Sequence, residues 1–345
     1  MTMLKKSILS LAAIATLGSA SVEARDQIKI VGSSTVYPFS SAVAEEFGAT
    51  MNMKTPVVES TGTGGGMKIF CSGNGLDTPD ITNASRRIKA SELEMCQKAG
   101  VNNIIEAFIG FDGIVVAQNK KDAPLALTRE QIFLAVAEMV PAKDGKSLIK
   151  NPYKNWNEID AKLPNRKISV YGPPKSSGTR DSFEEMIMIH TTEKNDLYIK
   201  NGFAKGYNKV RQDGVYIDSG ENDNLIVQKL TKDTAALGIF GYSYLEENPT
   251  KISGAKIDGF EATPANVASG KYPISRSLYF YIKKDHLGQV PGLDKYTDLF
   301  MSEKMIGDRG QLKKIGLIPD DKIARDNARK VVTSRQVITS ANLKK

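Results

Sequence analysis

The sequence predicts an α/β fold with largely parallel sheets, because three short apolar strands are each followed by a Ser/Thr- and Gly-rich turn and then by a segment with helical spacing. Residues 28–31 alternate as a strand and are broken by Gly32-Ser33-Ser34-Thr35. After Pro38, the residues Phe39, Val43 and Phe47 then recur every fourth position on one helix face. The second unit is Pro56-Val57-Val58-Glu59, which runs into Thr61-Gly62-Thr63-Gly64-Gly65-Gly66 and then Met67-Lys68-Ile69-Phe70. The third is residues 168–171, followed by Ser176-Ser177-Gly178-Thr179-Arg180 and an apolar face at Phe183, Met186 and Ile187. Apolar strands at 113–117 and 278–282 are placed as crossovers between two lobes. The Pro- and Lys-rich stretch 141–164 reads as a surface insertion.

Composition excludes several classes. The chain has 345 residues, 41% hydrophobic and 25% charged, which is ordinary globular composition with enough length for two domains. Two histidines and two cysteines are too few for a zinc finger, a tri-histidine site or an iron–sulfur cluster, which leaves only oxygen ligands for any metal; no metal and no cofactor is expected. The net charge of +8 is spread along the chain without a run of five basic residues, and no nucleic-acid partner is expected.

Lys5 and Lys6 precede an apolar stretch from Ile8 to Ala20, and Val22-Glu23-Ala24 offers small residues at the positions a signal peptidase reads. At about 13 residues the stretch is shorter than the roughly 20 needed to span a bilayer. Residues 1–24 are therefore expected to be a signal peptide, and Arg25 the first residue of a mature chain outside the cytoplasm. No cysteine precedes Cys71, so no lipid anchor is expected at the cleavage site. An oxidising compartment favours pairing of Cys71 with Cys96, which would close a loop of roughly 25 residues and stabilise by about 3 kcal/mol; two buried free thiols are the alternative.

The three loops share one chemistry. Gly permits close backbone approach, hydroxyls donate hydrogen bonds, and the first turn of the following helix presents free N–H groups, so together they describe an anion cradle. A single such loop is ordinary N-capping; three in one chain favour a ligand. The nucleotide patterns fail, since Val140 stands where the Walker sequence ending in Gly145-Lys146-Ser147 needs glycine, and Met67 where a dinucleotide fingerprint from Gly62 needs its third. A serine hydrolase would need a base and a Gly-x-Ser-x-Gly elbow. No such elbow occurs, and His190 and His286 read as surface or capping residues. Arg86, Arg87 and Arg180 lie near the polar loops and could fork onto a tetrahedral oxyanion.

Gly32-Ser33-Ser34-Thr35-Val36-Tyr37-Pro38, the run 60–66, the segment 80–87, Phe111-Asp112-Gly113, Ser177-Gly178-Thr179-Arg180-Asp181 and Glu221-Asn222-Asp223-Asn224 follow one another in an order that resembles the PstS family of periplasmic phosphate-binding proteins. The resemblance spans nearly all of the mature chain. It implies a type II periplasmic binding protein, with two α/β lobes joined by two crossovers and the ligand cleft between them. The expected division is 25–115 plus 275–345 for one lobe and 116–274 for the other. The implied function is capture of inorganic phosphate in the periplasm, without catalysis, by a monomer that delivers it to the membrane permease of an ABC transporter. Another oxyanion (sulfate, molybdate, an organophosphate) or a secreted phosphatase is the alternative.

Carried over by motif, Ser34, Thr35 and the backbone of Val36 would donate from the first loop, Thr63 from the second, and Ser177, Gly178 and Thr179 from the third, with Ser85 and Arg86 completing the cradle. Better-known members have an aspartate immediately after the serine of the segment 80–87, where this chain has Arg86. Some also carry an acidic residue and an arginine before Ser-Gly-Thr, where this chain has Pro173, Pro174 and Lys175. A carboxylate facing the ligand accepts the proton of phosphate and repels unprotonated sulfate. Asp112 is the expected replacement, ahead of Asp181 and Asp223.

Overall fold

The computed structural model describes residues 25–33, 35–122, 124–175, 177–220 and 223–344, so the expected signal peptide and Ser34 lie outside the described residues. The first strand, β1 (Lys29–Gly32), leads into α1 (Tyr37–Met51), whose buried face carries the periodic Phe39, Val43 and Phe47. Next come β2 (Val57–Ser60), α2 (Thr63–Phe70), β3 (Ile81–Ala84), α3 (Ala90–Lys98) and β4 (Ile104–Asn119). β1 pairs in parallel with both β2 and β3.

β4 is one continuous strand of 16 residues where the sequence predicted a short crossover at 113–117. From Ile104 to Gly113 it pairs antiparallel with the strand Ser275–Lys283, which also borders β3. From Ile114 to Ala117 it pairs antiparallel with the strand Leu237–Gly241, which in turn lies parallel to Val170–Gly172. The result is a curled sheet whose outer pairs are parallel, as expected, but whose central pairs are antiparallel. The sheet order explains the difference. The strand Ser275–Lys283 lies antiparallel to β3 and to the first part of β4, and β4 alone continues into the other half, where it lies antiparallel to Leu237–Gly241.

Apolar side chains separate accordingly. One core gathers Val115, Phe133, Trp156, Ile187, Ile239 and Phe240; another gathers Ile30, Phe47, Ile105, Phe280, Tyr296 and Phe300. A third stretch of chain touches the join: Phe111 and Ile318 exchange backbone hydrogen bonds of 2.8 and 2.9 Å. The stretch 141–164 contributes the second strand of a hairpin, Leu148–Lys150 against Met139–Pro141, and a short helix that buries Trp156.

Cys71 and Cys96 form the expected disulfide, with Cα atoms 4.3 Å apart, tying the end of α2 to α3. His286 is corrected: it is fully buried, with Nδ1 2.6 Å from Asp80 Oδ1 and Nε2 3.2 Å from the Asn74 carbonyl. Asp80 also accepts from the Lys29 backbone N–H at 2.8 Å and pairs with Arg25, so the histidine belongs to a buried polar network under β1. Among the described residues no helix is long and apolar enough to cross a membrane, and no cluster of His, Cys, Asp and Glu could hold a metal.

Candidate functional site

A cavity of about 210 Å³ opens where the two halves of the sheet meet, lined by Thr35, Asp112, Ser177, Gly178, Thr179, Ser182, Asp223, Gly241 and Ser243 among others. It is smaller than the roughly 300 Å³ at which drug-sized pockets begin, so its size selects a small ligand. Phe39, Pro38 and Ile315 supply apolar wall. Among the described residues no lysine or arginine lines it directly.

The elements that aim the polar groups follow from local chemistry. Thr35 sits in the turn between β1 and α1, where Pro38 starts the helix because its missing N–H and fixed φ suit the first turn. Ser177 caps the helix Gly178–Phe183, its Oγ accepting from the Thr179 N–H at 3.2 Å. That helix continues as a π-helix over Glu184–Ile189, which keeps Phe183, Ile187 and Met188 in the core. Asp112 lies on β4 beside the point where its pairing changes, and Arg276 stands opposite it on the neighbouring strand.

These residues form one connected set. Ser182 Oγ donates to Asp112 Oδ2 at 2.9 Å and lies 3.2 Å from Thr35 Oγ1. The Arg276 guanidinium donates to Ser182 Oγ at 2.5 Å and to Thr35 Oγ1, lies 3.5 Å from Asp112 Oδ2, and pairs with Glu185. Asp223 accepts from the Gly241 N–H at 3.2 Å.

The first and third loops therefore meet, with Asp112, at one cavity. The backbone N–H of Val36 is turned inward to Ser33 Oγ at 3.4 Å. The second loop does not line the cavity. Thr63 Oγ1 accepts from the Ser85 N–H at 3.1 Å and lies 3.1 Å from Ser85 Oγ, so these two hydroxyls serve each other. The glycine run there has a packing role: a Cβ on Gly66 would stand 2.4 Å from the Gly32 Cα, so α2 can lie against β1 only with glycine at this position.

Arg86 is turned away into a forked ion pair with Glu92 at 2.7 and 2.8 Å. Their mutual hydrogen bonds raise the Arg86 pKa. Burial pushes the Glu92 carboxyl up, but Arg86 and the Lys89 backbone N–H outweigh it and hold the group below its ordinary value. Asp181 is exposed. Sequence reasoning missed Ser182 and Arg276. Ser182 is legible in hindsight as one helical turn beyond Gly178 and Thr179, whereas Arg276 lies far along the chain, next to no motif.

A family model described as a PBP superfamily domain matches residues 18–304. The chain belongs to the PBP superfamily and is PstS-like. It is 32% identical to Protein SphX of Synechococcus elongatus over 286 residues, covering 80% of this chain and 75% of that one. It is 28% identical to the phosphate-binding protein PstS of Staphylococcus saprophyticus, covering 81% and 76%. A crystal structure of a possible phosphate binding protein from Planctomyces limnophilus superposes with a TM-score of 0.72 at 29% identity, covering 90% of this chain and 98% of the other. The type II periplasmic binding protein architecture expected of this PstS-like chain is the one found, with the cavity at the join of two half sheets.

Proposed function

We propose that the chain is an extracytoplasmic solute-binding protein that captures inorganic phosphate in this cavity and delivers it to the permease of an ABC transporter. The observation that carries the reading is the convergence of the Ser177-Gly178-Thr179 helix start on Thr35 and Asp112. Hydroxyl and N–H donors suit the unprotonated oxygens of a small tetrahedral anion, and the Asp112 carboxylate suits its protonated one. Relatives whose names are phosphate-binding support the same ligand. Arg276, reaching Thr35, Asp112 and Ser182 at once, takes the cationic role that the family motif suggested for Arg86.

In this reading residues 25–115 and 275–345 form one lobe and 116–274 the other, and they hinge where β4 exchanges one partner strand for another. The anion then bridges Thr35 of one lobe and Thr179 of the other, so binding favours closure. Residues 1–24 direct export, and the mature protein works as an unanchored periplasmic monomer that binds its ligand without transforming it.

Calorimetric titration of the purified mature protein with phosphate and with sulfate tests the proposal. Tight, phosphate-selective binding is expected. Binding of phosphate no tighter than millimolar, or turnover of a chromogenic phosphate ester that is lost with Thr179→Ala, would overturn it.

A further inference from the structure

We propose that Glu185 is a resident counter-ion for Arg276, which the incoming anion displaces; the proposal rests on the phosphate reading above. Three carboxylates, Asp112, Glu185 and Asp223, stand in or beside the cavity, while Arg276 supplies the cation that touches two of them. A further anion cannot enter at that guanidinium without like-charge repulsion unless a resident carboxylate leaves.

The geometry decides which one. Asp112 is held by Ser182 Oγ at 2.9 Å, and its side chain is only 15% exposed. Glu185 is 54% exposed, and no hydrogen bond other than that to Arg276 fixes its carboxylate among the described residues. It can turn into water at little cost, whereas Asp112 cannot. Arg276, by contrast, is 10% exposed and is held beside the cavity by Ser182, Thr35 and Asp112, so the guanidinium stays in place when Glu185 leaves and the Nη1 that Glu185 occupied is freed.

The backbone under Glu185 gives a second reason to assign it a role. The residue falls on the π-helical stretch Glu184–Ile189 that directly follows the helix bearing Ser177, Thr179 and Ser182, and such insertions occur often at functional sites. Ser182 and Glu185, three positions apart, both reach the same guanidinium from that helix. The pair also joins a residue of 116–274 to one of 275–345, so it holds the cleft together without ligand and is exchanged for the anion on binding.

The test is phosphate titration of the mature wild type, Glu185→Gln, Arg276→Met and the double variant at one ionic strength. Removing a competing surface ion pair of this kind should tighten phosphate binding about three- to tenfold in Glu185→Gln. The gain should vanish when Arg276→Met is already present, because the Arg276 guanidinium is no longer there to be released. Unchanged or weaker binding by Glu185→Gln overturns the inference. So does an equal gain in both backgrounds, which would mark a general repulsion. A wild type that binds no phosphate overturns the underlying reading instead.

Discussion

Ser182 donates its single hydroxyl hydrogen to Asp112 Oδ2 across 2.9 Å, which settles the polarity of its neighbours. With that hydrogen committed, Ser182 Oγ accepts from Arg276 at 2.5 Å, while Thr35 Oγ1, 3.2 Å away, can direct its own hydrogen either to Ser182 or to a ligand. The second carboxylate oxygen of Asp112 is left for a ligand, on a side chain that lines the cavity. A carboxylate placed so can accept a proton from phosphate and has nothing to accept from sulfate.

Asp112→Asn should therefore erode discrimination more than affinity. An amide can donate to an unprotonated oxygen, so sulfate is no longer repelled, and the phosphate-to-sulfate affinity ratio should fall by about ten- to a hundredfold. Competition titration of the two anions reads this directly. An unchanged ratio would move the acceptor role to Asp223, which is buried at the same cavity.

Two arginines can be set against each other. Arg276→Met removes a charge-assisted donor near the cavity and should weaken phosphate binding by about 2–3 kcal/mol. Arg86→Ala removes a partner of Glu92 outside the cavity and should change affinity little while lowering the unfolding midpoint. Comparable losses of affinity in both variants would return Arg86 to the cradle.

The contrast between these arginines shows what the sequence could carry. Units in which strand, polar turn and helix are contiguous were legible, because Phe39, Val43 and Phe47 mark a face and Ser177-Gly178-Thr179 cap a helix within a few residues. The disulfide followed from the expected compartment and the cysteine count. Arg276 and Asp112 face each other only through the register of two strands far apart in the chain, and that register has no local signature. The Gly-rich run was read as a cradle because close backbone approach to a ligand and close approach of helix to strand require the same residue; at Gly66 the neighbour is Gly32. Composition likewise could not place His286, since a histidine in a charged turn looks the same whether the turn faces water or tucks onto Asp80.

The last prediction concerns stability against pH and the buried Lys283. Its ammonium donates to the Gly73 carbonyl at 2.6 Å and to Thr78 Oγ1 at 2.5 Å, in a site without solvent exposure. Burial lowers its pKa from 10.5 to about 8, although the nearby Asp80 and Asp77 oppose the shift. A base with a depressed pKa loses its proton in the folded protein before the unfolded chain does. Between about 8 and 10.5 the unfolded state thus binds more protons, and the Lys283 contribution to stability rises with pH across that window. Lys283→Met keeps the chain length and does not titrate. The stability of wild type relative to this variant, measured by urea unfolding at successive pH values, should increase by up to roughly 3 kcal/mol from neutral pH to the top of the window. Taking the difference cancels the tyrosines that titrate independently at the alkaline end. A difference flat with pH would mean that the ammonium keeps its proton throughout, stabilised by the Gly73 and Thr78 oxygens more than burial penalises it.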